Sequence, residues 1–190
     1  MFSRFAASLC LAVFAAGCAS SAQDDPKATQ ATFERGVAAY DAKDYDEAFR
    51  IFSSIDDHDL AAMRNVALML RKGEGTAKDP KAAQDMYARA ADGGLATAAA
   101  DLGEMLLNGE AGPPDAKAAA PWLAGAAAAG HPVAQFELGR MFEEGNGVPK
   151  DPARARKLYQ AAADSGMDEA RTRLAALPPA PPPAPATPKP

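Results

Sequence analysis

The sequence has few of the residues from which enzymes build reactive sites. It contains two cysteines and two histidines in 190 residues, and aromatic residues make up only 7 %. His58 and His131 have no cysteine or second histidine at ligand spacing, so we expect no metal site. Neither Gly-x-Ser-x-Gly nor Ser-x-x-Lys occurs, which leaves no candidate for nucleophilic catalysis. We therefore expect no catalytic residue and no cofactor.

An excess of basic residues is also absent. The formal net charge is −5, whereas binding to nucleic acid requires a basic face that neutralises phosphates. We therefore exclude nucleic acid as the main partner. The acidic run Asp56-Asp57-His58-Asp59 lacks the spaced ligands of a calcium loop, and we interpret it as a solvated turn. No small-molecule substrate is expected.

The apolar run at the N-terminus is too short to cross a membrane as a helix. It extends over 12 uncharged residues from Phe5 to Ala16 and follows the basic residue Arg4. These features are typical of a secretory signal peptide, which we predict over residues 1–17. Because Cys10 lies in this segment, Cys18 is expected to be the only cysteine of the mature chain, and no internal disulfide can form.

Residues Ala15-Ala16-Gly17-Cys18 resemble the lipobox of bacterial lipoproteins. The resemblance implies that Cys18 becomes diacylglyceryl-modified and forms the new N-terminus. One acyl chain binds a membrane weakly, at about 0.8 kcal/mol per buried methylene, whereas two or more hold for long periods. Ala19 favours the outer membrane, so we expect a lipid-anchored protein of the bacterial cell envelope that faces the periplasm. The alternative is an ordinary secreted protein, cut after an Ala-x-Ala-like triplet, in which Cys18 has no role.

A spacing of 36 residues organises the centre of the chain. The phrase GEGTAKDPKAA at 73–83 returns as GNGVPKDPARA at 145–155, two such periods later, and GEAGPPDAKAA at 109–119 is a less regular copy between them. A fixed period of this size indicates stacked helical hairpins, in which each unit covers an apolar face of its neighbour. The sequence therefore predicts an all-α solenoid.

Each unit is predicted to contain two helices, called A and B. Helix A repeats apolar positions at helical spacing over about 60–72, 97–108 and 133–144, and a glycine follows its last turn. Helix B begins where Asp79 or Asp151 can cap the free backbone amides, with a proline in the first turn. The glycine-rich phrase is thus a helix stop, a turn and a helix start. The alternative of a phosphate-binding loop requires Gly-Lys-Ser/Thr, which neither copy contains.

This pattern resembles the Sel-one-like repeat (SLR), a relative of the tetratricopeptide repeat, over residues 33–177. The third unit carries the resemblance at Ala134, Leu138-Gly139, Phe142, Gly145-Asn146-Gly147-Val148, Asp151, Ala155, Tyr159, Ala162-Ala163 and Gly166. The resemblance implies a right-handed α-α superhelix of about four helical hairpins plus a capping helix. We assign residues 18–32 to a flexible spacer and residues 178–190, PPAPPPAPATPKP, to a proline-rich disordered tail.

The ends of the repeat region depart from the regular pattern, as terminal repeats commonly do. Residues 33–52 are predicted to form an opening hairpin that turns at Lys43-Asp44, with Phe33, Tyr40, Ala48 and Phe52 pointing inward. The segment DEARTRLAAL at 168–177 is predicted to be a lone helix A that caps the stack with Ala170, Leu174 and Leu177.

The second unit contains two residues that disfavour a helix. Pro121 inside helix B costs up to about 3 kcal/mol, and Gly125 costs roughly another 1 kcal/mol relative to alanine. We expect this helix to start late or to kink near Pro121, which makes the unit the softest of the solenoid. The alternative is that Trp122, the only tryptophan, packs well enough to offset both residues.

The resemblance places a binding surface on helix A, which lines the inner curve of tetratricopeptide stacks. The side chains expected to point into that groove are Arg64, Leu68, Arg71, Ala100, Glu104, Leu107, Phe136, Arg140 and Glu143. A strip that mixes apolar side chains with arginines and glutamates is typical of a protein-binding site. The alternative is that Leu68, Leu107 and Phe136 only pack across neighbouring helices.

These features favour a non-catalytic, lipid-anchored scaffold that binds unidentified envelope proteins on the solenoid surface. A cell-wall hydrolase or β-lactam-binding enzyme is the alternative, because some secreted SLR proteins have been linked to β-lactams. Those proteins carry a cysteine pair in every repeat, which this sequence lacks. A third interpretation is an anchored structural spacer without a specific partner.

Overall fold

The computed structural model of the chain describes residues 26–178, and its regular elements in that range are nine α-helices without a strand. The all-α prediction is therefore confirmed. The predicted signal peptide, Cys18 and the tail beyond Pro178 lie outside the described residues. In chain order the helices are α1 (Pro26–Asp41), α2 (Tyr45–Ser53), α3 (Leu60–Lys72), α4 (Pro80–Asp92), α5 (Ala96–Asn108), α6 (Ala116–Ala128), α7 (Pro132–Glu144), α8 (Pro152–Asp164) and α9 (Asp168–Ala176).

The A helices of the three central units are α3, α5 and α7, and each has 13 residues. Gly73, Gly109 and Gly145 follow them in the left-handed conformation, with φ of 78°, 67° and 78°. A residue with a side chain is strained in that conformation, which explains why glycine recurs at this point of the period. The predicted helix boundaries agree with the structure to within one residue.

The B helices are α4, α6 and α8, and an aspartate caps each of them. Asp79 and Asp151 each accept two backbone N–H bonds from the first turn, and Asp115 accepts one from Ala118 at 2.9 Å. A proline occupies the first position of α4 and of α8, where its missing N–H leaves no bond unmade. The glycine-rich phrase therefore acts as the predicted stop, turn and start.

The core runs along the stack, and in both kinds of helix buried alanines alternate with larger buried side chains. Four A-helix alanines at the 36-residue spacing are fully buried: Ala62, Ala98, Ala134 and Ala170. Two A-helix glycines make room for large B-helix side chains. A Cβ at Gly103 would lie 2.5 Å from Leu123 Cγ, and one at Gly139 would lie 2.9 Å from Tyr159 Cε1. Each helix packs against the next one in chain order, as a solenoid requires.

The opening hairpin is longer than predicted. Helix α1 begins at Pro26, so residues 26–32, which we assigned to the spacer, are helical. Thr32 Oγ1 donates a hydrogen bond to the Ala28 carbonyl at 2.8 Å within this extra segment. The segment carries no large apolar side chain before Phe33, so the helical periodicity that marked the other helices was absent.

The interior of that hairpin agrees with the prediction. Ala48 and Phe52 are buried, and Phe33 and Tyr40 pack against them in part. The chain turns at Lys43, the one residue other than glycine with a positive φ (62°) among residues 26–178.

The C-terminal end is closed by α9, as predicted. Ala170 and Leu177 are buried, and Leu174 is partly buried against the same core. Arg156 on α8 donates to the carbonyl of Leu177 at 3.3 Å and also to that of Pro178. The chain is therefore held against α8 where the proline-rich tail begins.

Helix α6 corrects one expectation. It begins at Ala116 and continues through Pro121 to Ala128, so the prediction of a late start is wrong. The Asp115 cap fixes its first turn, and Trp122 packs against both of the neighbouring core clusters. The softness of this unit stays a prediction. Within residues 26–178, no helix is both long enough and apolar enough to cross a membrane.

Candidate protein-binding surface

The nine side chains predicted to point into the groove come from α3, α5 and α7, and we call the surface they define the A face. Eight of them are at least partly exposed, and Ala100 is the exception. It is 5 % exposed and belongs to the central core cluster, so its assignment to the groove is wrong. Its methyl group is too short to reach beyond the contact between helices.

Arginines of α3 lie against carboxylates that follow one repeat later. Arg64 Nε donates to Asp101 Oδ2 at 2.6 Å, and Arg71 Nη2 donates to Glu104 Oε1 at 3.2 Å. Arg71 Nε also donates to Glu110 Oε2 at 2.6 Å. Arg64, Arg71 and Glu104, which were predicted to line the groove, thus lie in one cluster of ion pairs. Asp101 and Glu110 also belong to this cluster and were not predicted. These ion pairs join α3 to α5 and its following turn.

Hydrogen bonding and burial act in opposite directions in this cluster. The bond to Arg71 holds the pKa of Glu110 below its usual value, and the bond to Glu110 raises the pKa of Arg71. Burial raises the pKa of Asp101, and Arg64 partly offsets that effect. The two arginines are therefore held in place by carboxylates that balance their charge.

Two buried tyrosines lie beneath the A face at equivalent positions of the first and third units. Tyr159 donates its hydroxyl to Glu143 Oε2 at 2.6 Å, and Arg173 of α9 lies 3.7 Å from the same carboxylate. Tyr87 is fully buried and its hydroxyl proton has no acceptor. Burial raises the pKa of Tyr87, and the nearby Arg71 guanidinium lowers it by a smaller amount. The residue on α3 that corresponds to Glu143 is Arg71, which directs its donors to carboxylates. Glu143, a predicted binding residue, thus also links α7, α8 and α9.

The predicted apolar residues of the A face differ in what they contact. The Phe136 ring lies 5.5 Å from that of Tyr159, and Phe136 packs against two core clusters of the last unit. Leu107 packs against the central cluster. Phe136 and Leu107 therefore pack across neighbouring helices, which is the alternative interpretation given for them. Leu68 packs against the core as well, but it also lines an open cavity.

That cavity lies between α1 and α3 at the N-terminal end of the A face. Its volume is about 120 Å³, and it is lined by Val37, Tyr40, Phe52, Asn65 and Leu68. Val37 is 37 % exposed, which is unusual for a large apolar side chain among residues 26–178. Val37 and Asn65 are not among the residues predicted from the sequence. Val37 could have been found because it lies one helical turn from both Phe33 and Tyr40 on α1.

The other end of the A face is acidic. Arg140 pairs with Glu137 at 3.2 Å on α7. Burial raises the pKa of Glu137, Arg140 lowers it, and the carboxylates of Glu104 and Glu144 raise it further. The A face therefore has an apolar cavity at one end and an excess of carboxylates towards the other.

The two histidines lie at turns between helices. His131 caps α7, because its Nδ1 accepts a bond from the Ala134 N–H at 3.4 Å. Burial lowers the pKa of His131. Within the range that the structure describes, no cluster of histidine, cysteine, aspartate and glutamate could hold a metal ion.

A family model confirms the repeat and its boundaries. The model described as Sel1 repeat matches residues 60–95, 96–131 and 132–167. These three segments correspond to the hairpins α3–α4, α5–α6 and α7–α8. The 36-residue period and the resemblance to the Sel-one-like repeat are both confirmed. Among proteins of curated function, none matches the sequence significantly.

Several solved structures share the fold. A Sel1 repeat protein from Oxalobacter formigenes is 34 % identical with a TM-score of 0.70, and the match covers 75 % of this chain and 58 % of that chain. The protein c5321, a protective antigen present in uropathogenic Escherichia coli strains, is 24 % identical with a TM-score of 0.73, covering 77 % of this chain and 32 % of that one. Cysteine rich protein B from Helicobacter pylori is 18 % identical with a TM-score of 0.55, covering 66 % of this chain and 96 % of that one. This chain thus spans less than two thirds of the first two proteins, and the likeness to the last two extends to the fold alone.

Proposed function

Because the chain belongs to the Sel1 repeat family, a protein-interaction fold, we propose that it is a non-catalytic scaffold that binds other proteins through its A face. Lipid on Cys18 holds it at the bacterial cell envelope, facing the periplasm and attached to the outer membrane. Its partners are envelope proteins. The signal-peptide pattern and the lipobox-like residues before Cys18 support this location.

The cavity between α1 and α3 is the observation that carries the proposal. A protein interface has an apolar centre that receives an anchor side chain and a polar rim that excludes water. The cavity offers Val37 and Leu68 as apolar walls, with Asn65 beside them. The arginines and carboxylates of α3 and α5 continue the surface as its rim. One apolar side chain of a partner fits this arrangement.

Two exposed valines allow a matched test of the A face. Val37 is 37 % exposed in the cavity, and Val133 is 41 % exposed at the start of α7 and does not line the cavity. Val37→Asp places a carboxylate where the anchor binds, which we expect to cost about 2 kcal/mol or more, or roughly 30-fold in affinity. Val133→Asp puts the same charge at a helix N-terminus, where it is tolerated.

The measurement is crosslinking in cells, followed by purification of the tagged full-length protein from membranes. Wild type and Val133→Asp should capture the same set of envelope proteins, and Val37→Asp should lose it. Circular dichroism must show that both variants keep their helices. If folded Val37→Asp retains every partner, the cavity is not the binding site. If the wild type captures no specific protein, the spacer interpretation replaces the scaffold.

Membrane attachment is tested separately with Cys18→Ser. The variant cannot receive a diacylglyceryl group, so it should move from the membrane fraction to the soluble periplasmic fraction. Sedimentation of cell extracts measures this change. Retention of the variant with membranes would show that something other than lipid on Cys18 holds the protein there.

A further inference from the structure

Helix α6 has an outer surface unlike that of the other B helices. Helices α4 and α8 each carry four charged residues, whereas α6 carries one, Lys117. The exposed residues that follow it on α6 are Pro121, Ala124, Gly125 and Ala128. We call this surface, together with the half-buried Trp122, the α6 face. The α6 face is separate from the A face, because the A face is formed by the A helices α3, α5 and α7 and α6 is a B helix.

An apolar cavity opens beside Trp122. Its volume is about 310 Å³, and α6 contributes Pro121, Trp122, Gly125 and Ala126 to its walls. Residues from the end of α4 and the start of α5 complete the lining, and none of the lining residues is charged. A Cβ added at Gly125 would meet nothing within 4 Å, so the cavity extends along the helix surface. The site accepts an apolar segment that presents no charge.

The chain contains such a segment in its proline-rich tail. Residues 179–190 include seven prolines and a single charged side chain, Lys189. Polyproline segments dock into aromatic-lined apolar grooves at low entropic cost, because proline already restricts their backbone. A polyproline helix has three residues per turn, and Pro179, Pro182, Pro185 and Pro188 follow one another at that spacing. They would form one continuous ridge.

The length of the tail and its point of departure fit this site. Arg156 holds the chain at Pro178 against α8, the B helix one unit beyond α6. Twelve residues of polyproline helix span about 37 Å. Arg156 lies two positions before Leu158, the α8 residue equivalent to Trp122, so the rise along the helix is about 3 Å, and the step to the neighbouring helix adds about 10 Å. The residues that arrive at Trp122 and the cavity beside it are therefore near Pro182 and Pro185.

We propose that the proline-rich tail, residues 179–190, docks on the α6 face with the ridge through Pro182 and Pro185 against Trp122. Tethering favours this contact, because a linked segment reaches an effective concentration in the millimolar range. The tail then covers an uncharged surface that would otherwise face water beside the solenoid.

The sole tryptophan reports on the contact directly. In the full-length protein, Pro182→Ser with Pro185→Ser breaks the ridge. Pro183→Ser with Pro190→Ser removes the same number of prolines from other sides of the helix. The ridge variant should shift the emission maximum of Trp122 to longer wavelength and increase its quenching by acrylamide. The off-ridge variant should match the wild type, and both should keep the wild-type helix content.

A second substitution tests the site independently. Gly125→Glu fits without a clash, since its Cβ meets open space, but it places a carboxylate in the cavity. In that background the ridge substitutions should cause no further change in Trp122 emission. The proposal is overturned if ridge and off-ridge variants behave alike. It is also overturned if emission depends on protein concentration and not on the ridge, since a second copy would then be the occupant.

Discussion

At the scale of single residues, equivalent positions of the repeat are used in chemically different ways. Tyr87 and Tyr159 are both fully buried and lie two periods apart. Glu143 accepts the Tyr159 hydroxyl, whereas the position that corresponds to Glu143 in the first unit is a donor, Arg71. Burial raises the pKa of both tyrosines, so both hydroxyls stay protonated at neutral pH. One of them is buried without an acceptor.

The tyrosine pair predicts opposite effects of one substitution. Tyr159→Phe should lower the free energy of unfolding by about 1 to 2 kcal/mol, because it removes a bond to a carboxylate. Tyr87→Phe should leave stability unchanged or raise it by about 1 kcal/mol, since it removes a buried hydroxyl that has no acceptor. Urea unfolding measures both, from the midpoint at constant slope. A loss of the same size in Tyr87→Phe would mean that its hydroxyl has a partner in solution.

His131 predicts a pH dependence of stability. Burial lowers its pKa in the folded state, so the unfolded chain binds the proton more tightly. The stability that depends on neutral His131 is fully present above the unfolded value of about 6.5 and is lost as pH falls through the folded pKa. Protonation also removes the acceptor that caps α7 and places a cation at a helix N-terminus.

His131→Asn keeps a capping side chain but cannot titrate. Between about pH 8 and pH 5, the wild type should lose up to about 1 kcal/mol more than this variant, measured by urea unfolding. Asp101 and Arg64 both act on the pKa of His131, but they are present in both proteins and cancel in the comparison. His58→Asn makes the same substitution at a turn outside α7 and is the matched control. An equal pH dependence in wild type and His131→Asn would exclude this mechanism.

At the scale of helices, two glycines in α5 and α6 have the same intrinsic cost but different surroundings. A Cβ at Gly103 would lie 2.5 Å from Cγ of the buried Leu123, whereas one at Gly125 meets nothing within 4 Å. Gly125→Ala should therefore raise the free energy of unfolding by about 1 kcal/mol. Gly103→Ala should lower it by about 1 to 3 kcal/mol through overpacking. Thermal or urea unfolding checks both, and stabilisation by both substitutions would mean that α5 and α6 are not tightly packed.

The helices of the three central units were predictable because the glycines after the A helices and the aspartates before the B helices recur at a fixed spacing. The N-terminal half of α1 was not predictable, because its apolar residues show no helical spacing and it aligns with no unit of the 36-residue repeat. Side-chain partners between A helices were also missed. Arg64 bonds to a residue 37 positions later and Arg71 to one 33 positions later, on either side of the period. That offset depends on how neighbouring helices are rotated, which the repeat does not encode.

At the scale of the whole molecule, each unit is stabilised only by its neighbours, so one weak helix in the middle divides the stack. Pro121 lies at the sixth position of α6 and cannot donate a backbone hydrogen bond. The Asp115 cap and Trp122 hold the helix in place, but neither supplies that bond. The blocks on either side, α1–α5 and α7–α9, have no such interruption in the described residues.

This division predicts a minimum of hydrogen-exchange protection at the centre of the chain. Amides in 116–128 should exchange faster than those in the equivalent helices 80–92 and 152–164, with an opening free energy lower by up to about 3 kcal/mol. The two flanking helices are matched controls because they share the same cap and length. Pro121→Ala restores the missing donor and should remove most of the difference. Slower exchange in 116–128 than in both flanking helices would show that the packing of Trp122 outweighs the proline, and the solenoid would then open from its ends.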